Sequence, residues 1–109
     1  MNNLSTPFDI VHNSTTKKVI AVDYDGVISD DNEGWLIVIN LLKKLGHKVI
    51  IVTYRNSSES YELNFLKVAG FPVYFTDHAS KKNYLAEKEI DVDVWIDDDV
   101  ETILFDNVI

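Results

Sequence analysis

The chain has 109 residues, a formal net charge of -8 and no cysteine. That length suits one domain with a single core and one main site. The charge argues against binding a nucleic-acid backbone or an anionic membrane by bulk attraction, and the missing thiols exclude disulfides, zinc-thiolate centres and a cysteine nucleophile.

Residues 1–16, MNNLSTPFDIVHNSTT, are polar and broken at Pro7, so a flexible or loosely packed arm is expected, with at most a short ordered piece around residues 8–11. Neither a signal-peptide pattern nor an apolar stretch of membrane-spanning length is present, which makes a cytoplasmic protein the expectation. Residues 17–109 are expected to form the folded domain. Its first apolar run, residues 19–22, has strand length and stops at two aspartates and a glycine in IAVDYDGV.

Residues 32–45 predict a helix with Trp35, Val38, Ile39, Leu42 and Leu45 on one face. Lys43, Lys44 and Gly46 suit its C-terminus, although the β-branched LIVI leaves a strand as the alternative. Residues 49–52 predict a second strand leading to Thr53 and Arg55. Asn56, Ser57 and Ser58 then cap a predicted helix over residues 58–69, with Tyr61, Phe65 and Val68 together and Gly70 and Pro72 at its end. A third strand spans residues 73–75. Ser80 caps a third helix running through Tyr84 and Leu85, and residues 92–96 form a fourth strand entering Asp97, Asp98 and Asp99.

Strands alternating with helices imply right-handed crossovers and a parallel sheet covered on both faces. The predicted fold is an α/β, three-layer, Rossmann-like sandwich with a central sheet of four to five strands. Ligands of such sheets sit beyond the carboxyl ends of the strands, and each strand here delivers polar or charged residues to that edge. Carboxylates gathered there would repel by about 4 kcal/mol per pair at 4 Å and an effective dielectric near 20. A domain with roughly 5 to 15 kcal/mol of net stability needs compensation for that. A lysine and a divalent cation supply it, and an oxygen-only ligand set selects a hard ion, best Mg2+.

The order of these motifs resembles the haloacid dehalogenase superfamily of aspartate-nucleophile phosphohydrolases. The resemblance covers about residues 18–104: a strand into Asp-x-Asp-Gly-Val, a strand into Thr, a Lys at a helix start and a strand into Asp-Asp. It implies that Asp23 is the nucleophile and forms an aspartyl-phosphate. Asp25, two residues on and so expected on the same side of an extended chain, would be the general acid/base, with its backbone carbonyl on the metal. Thr53 would bond a phosphoryl oxygen and Lys81 would hold the nucleophile and balance phosphate charge. Asp98 would complete the magnesium site with Asp97 beside it. Lys81 is favoured over Lys82 by its register against Tyr84 and Leu85, and Asp97 and Asp99 stand as alternatives to Asp98. Gly26 lets backbone amides turn toward phosphate. Arg55 reads by itself as a surface or loop residue, and the resemblance, through a Thr-x-Arg start to this loop, implies that it could meet substrate.

Relatives often insert a cap domain, for which neither residues 26–49 nor 55–73 have room, so a capless member with an open site is expected. Residues 105–109 are the remaining source of a fifth strand. Within the superfamily the chain looks most like the deoxyribonucleotidase-type branch. The expected function is a Mg-dependent phosphatase acting on a small phosphomonoester, such as a nucleotide, or on a phosphorylated macromolecule, with a homo-oligomer as one way to cover the site. A non-catalytic metal- or phosphate-binding protein is the alternative. A receiver-type phospho-acceptor domain is disfavoured, because its acidic pair precedes its Thr and Lys.

Taken one at a time, these residues have plainer readings. Asp and Gly mark strand-to-turn boundaries, Thr53 suits a strand end, and His47 suits a turn. Trp35, Trp95, Tyr61 and Phe65 read as core, Asp30, Asp31 and Glu33 as a solvated loop, and His78 as a loop residue, with contact to the site the minority reading. Lys81 and Lys82 at a helix start oppose the dipole, which points to an anion nearby.

Overall fold

The computed structural model describes residues 17–107. The arm expected over residues 1–16 and the last two residues of the chain lie outside them. Four strands form one all-parallel sheet: β1 (Val19–Val22), β2 (Lys48–Thr53), β3 (Val73–Phe75) and β4 (Val94–Ile96), in the order β3-β2-β1-β4. Among the described residues four α-helices accompany them: α1 (Asn32–Lys44), α2 (Asn64–Val68), α3 (Lys81–Glu87) and α4 (Val100–Leu104).

The β-branched runs explain the sheet. In β1 and β2 successive side chains enter opposite apolar clusters, as the two-residue period of a strand requires. Ile20, Val22, Val49 and Ile51 join Ile39 of α1 and Leu66 of α2 on one face. Ala21, Ile50 and Val52 meet Leu85 of α3 on the other. With both faces covered, these strands read as continuous apolar runs.

Topology positions the site. The chain moves from β1 outward to β2 and β3, then crosses back to place β4 on the far side of β1, in register Val22 to Ile96. The reversal lies between β1 and β4, and it opens a crevice at their carboxyl ends. Between the strands the crossovers hold only single helices and short 3-10 turns, with no further folded unit among the described residues.

Several local expectations need correction. On α1 the buried face is Trp35, Leu36, Ile39 and Leu42, whereas Val38 and Leu45 point to solvent. Leu36 replaces Val38 because the helix lies against the β1–β2 face, a direction that periodicity alone does not supply. The helix expected over residues 58–69 is broken into 3-10 turns at Ser57–Glu59 and Tyr61–Leu63, followed by short α2. Asn56 closes a capping box with Glu59 instead of starting a long helix. The result buries Leu63 and Leu66 and leaves Tyr61 and Val68 outside, so Tyr61 is not core. Finally, residues 105–107 follow α4 without forming a strand, and the sheet has four strands among the described residues.

Candidate active site

The crevice between β1 and β4 gathers the buried charges. Asp23 extends β1, its backbone N–H donating to Ile96 O at 2.9 Å. Lys81, the first residue of α3, is 1% exposed, and its Nζ donates to Asp23 Oδ1 at 3.0 Å and to Asp97 Oδ2 at 2.6 Å. Ser80 sets this orientation. Its Oγ accepts from Asn83 N to cap α3 and donates to Ile103 O of α4, while its own N–H donates to Asp106 Oδ1. Lys82, one residue and about 100° further round the helix, is exposed.

Asp97 is held from two sides: Oδ1 accepts from Asp99 N, and Oδ2 takes Lys81. Asp99 is committed elsewhere, its Oδ1 accepting from Glu101 N at the start of α4. Asp98 reaches over Gly26. That glycine has φ +84°, and a Cβ there would come within 2.2 Å of Asp98 Oδ2, so a side chain at this position would both strain the backbone and evict the carboxylate.

Carboxylate oxygens of Asp23, Asp97 and Asp98 all lie within 4.8 Å of one another. One ammonium balances these three acids. Burial pushes the Asp23 carboxyl up to about 7; Lys81 opposes the rise, and Asp97 and Asp98 add to it. Compact, oxygen-only and short of positive charge, this donor set fits a hard divalent cation such as Mg2+.

Asp25 belongs to a second network. The regular alternation of β1 ends as Tyr24–Val27 turns, and the Asp25 carboxylate leaves the Asp23 group. Arg55 grips it with two bonds, Nε to Oδ2 at 3.0 Å and Nη2 to Oδ1 at 2.8 Å, and reaches Glu62 Oε1 at 2.8 Å and Glu59 O at 3.3 Å through Nη1. The guanidinium also lies over the Tyr24 ring at 5.2 Å. These bonds hold Arg55 strongly protonated, so the residue expected to meet substrate is occupied within the protein. Thr53, fully buried at the end of β2, accepts from Arg55 N at 3.2 Å and leaves its own hydroxyl hydrogen to donate.

Three contributors escaped sequence reading: Tyr54, Tyr61 and Glu62. With Asp25, Arg55 and His78 they line a cavity of about 510 Å³ beside the acidic group. A larger one of about 700 Å³ shares Tyr61 and Glu62; neither cavity is lined by Asp23, Lys81 or Asp97, and the smaller one adjoins them through Asp25 and through Tyr54, whose ring lies 5.9 Å from Lys81 Nζ. His78, its side chain half exposed, sits in a loop in which Asp77 and His78 both have positive φ, at 53° and 68°. The loop is tied down where Asp77 N donates to Arg55 O and His78 N to Tyr54 O. Positive φ is a signal more readily taken from Gly than from Asp-His, and this hid the turn. Compared with family models, with curated proteins and with solved structures, the chain matches none.

Proposed function

We propose that the chain is a Mg-dependent phosphomonoester hydrolase that works through an aspartyl-phosphate on Asp23. One observation carries this reading: a buried lysine bonded to the carboxylate at the end of β1, with two further carboxylates beside it, at the point where the sheet reverses. Nucleophile, fixed cation and metal-type ligands thus stand together where α/β sheets bind ligands.

Asp23, Asp98 and Asp97 would hold the ion, with the Asp25 carbonyl as a further oxygen. When bound, magnesium supplies charge neutralisation that lets an anionic ester approach an acidic crevice. The residues do the rest. An Asp23 oxygen attacks phosphorus as the bond to the ester oxygen breaks, and the departing oxygen takes a proton from Asp25. Water then attacks phosphorus, Asp25 takes its proton, and the Asp23 carboxylate is regenerated with inorganic phosphate released. Lys81 keeps Asp23 aimed, and the Thr53 hydroxyl donates to a phosphoryl oxygen.

Membership of the haloacid dehalogenase superfamily, a three-layer sandwich, a cytoplasmic setting and a small phosphomonoester substrate belong to the same proposal. Apolar contacts on both sheet faces support the layering. No helix among the described residues is long and apolar enough to cross a membrane.

A second reading, a phosphate- or metal-binding protein without turnover, draws on the Arg55 grip, since both Asp25 oxygens must be released before they can move protons. Hydrolysis of an aryl phosphate and a nucleotide panel with Mg2+, in wild type and Asp23→Asn, separates the two. Metal-dependent turnover should fall by roughly a thousandfold or more in the variant. Turnover by neither protein favours the binding role, and full activity in Asp23→Asn rules out the mechanism.

A further inference from the structure

The cavity beside the acidic group has an unusual balance of surfaces. Tyr61 is 89% exposed and lines this cavity together with Tyr54 and His78, whose rings are 5.5 Å apart. Flat, open aromatic surfaces of this kind suit stacking with another ring. Charge points the same way. The lining holds three carboxylates, Asp25, Glu59 and Glu62, and one arginine.

That arginine is largely committed, because four of its five N–H groups already serve Asp25, Glu62 and Glu59 O. The carboxylates, in contrast, do have spare capacity. Glu62 uses Oε1 for Arg55 and Glu59 uses Oε1 for Asn56 N, and among the described residues the second oxygen of each has no partner. The cavity therefore offers acceptors and ring faces, and its one guanidinium is already paired with Asp25 and Glu62. An anionic group entering it faces three carboxylates against that one paired cation, whereas a ring bearing an amine meets unused carboxylate oxygens.

We propose that this cavity is the leaving-group subsite, and that it selects phosphomonoesters whose leaving group is a planar ring carrying a positive charge or hydrogen-bond donors while rejecting those with a second anionic group. As a statement about catalysis this rests on the hydrolase reading above. As a statement about binding it stands without it.

Three aryl esters of matched ring and leaving oxygen test it: the O-phosphates of tyramine, of 4-ethylphenol and of 3-(4-hydroxyphenyl)propionate. With Mg2+ at pH 7.5 (about the middle of the neutral range), kcat/KM should fall in that order, with about tenfold between the first and last, the size expected of one or two partly screened charges nearby. Glu62→Gln should shrink that ratio to roughly threefold, since it removes a charge and frees an Arg55 donor. Tyr61→Ala should lower all three aryl esters more than methyl phosphate. Equal values, or a preference for the propionate, overturn the subsite and leave the hydrolase reading intact.

If no ester is hydrolysed, the hydrolase reading fails and binding decides the subsite. Tyramine and 3-(4-hydroxyphenyl)propionate, without phosphate, are then titrated into the full chain while the Tyr61 and His78 ring resonances are followed by NMR. Shifts with tyramine and none with the propionate uphold it. Shifts with neither, or with both alike, overturn it.

Discussion

Two charge networks stand at the same edge of one sheet and differ in burial. In the Asp23–Lys81–Asp97 group the lysine and its two partners are almost fully withdrawn from water. In the Asp25–Arg55–Glu62 group the acids are half exposed or more. The bond lengths are alike, at 2.6 to 3.0 Å against 2.8 to 3.0 Å. Distance therefore does not separate them. Solvent does, because a buried ion left without its partner has nothing else to neutralise it, while an exposed one exchanges a protein partner for water. The first network is suited to holding Asp23, the proposed nucleophile, in place and the second to opening.

The comparison breaks most visibly at its centre. Lys81→Met removes the ammonium and keeps most of the volume, leaving Asp23 and Asp97 facing each other without a cation. A loss of about 3 to 5 kcal/mol is expected at pH 8 by urea denaturation, and a smaller one at pH 5, where Asp23 can hold a proton. An unchanged midpoint at pH 8 would mean that the pair is not the buried tie described above.

Titration gives the next largest effect. The folded protein holds the Asp23 proton with a pKa of about 7, against an ordinary 3.8, so the folded state binds that proton more tightly than the unfolded chain. Its contribution is fully present below about pH 4 and is lost as pH rises through about 7. Metal-free protein should lose up to about 4 kcal/mol over that window from this one group, from a pKa rise of 3.8 to about 7. Thermal melts should show it, Asp23→Asn should flatten it, and added Mg2+ should raise Tm more at pH 8 than at pH 5. A profile that is the same in wild type and Asp23→Asn removes Asp23 as its source.

The smallest effect belongs to the open network. Glu62→Gln leaves Arg55 bound to Asp25 and should change stability by less than about 1 kcal/mol in the same denaturation series. A cost near that of Lys81→Met would erase the contrast between the two groups.

Much of the frame was legible in the chain. Strands showed as β-branched runs because a parallel sheet buried on both faces demands apolar residues at successive positions. The end of α1 showed in Lys43, Lys44 and Gly46, which suit a helix C-terminus, and the start of α3 in Ser80. Lys81 could be favoured over Lys82 because helical register against Leu85 is a local property. The region between Asn56 and Val68 was not legible in this way. Cap-type residues there serve a capping box in a 3-10 turn as readily as a long helix, and only packing of Leu63 and Leu66 beneath the sheet face decides between them.

Local chemistry along the chain, then, determined which residues would reach the carboxyl edge of the sheet: Asp23, Thr53, Lys81 and the triplet of Asp97, Asp98 and Asp99 each follow from the element before them. Tertiary structure alone decided how they divide. Asp23 and Lys81 are 58 residues apart and Asp25 and Arg55 are 30 apart, so their pairing depends on strand order, on the turn after β1 and on how much water each reaches. Two aspartates two residues apart in IAVDYDGV thus enter different environments, because a strand's alternation governs its side chains only as far as the strand itself continues.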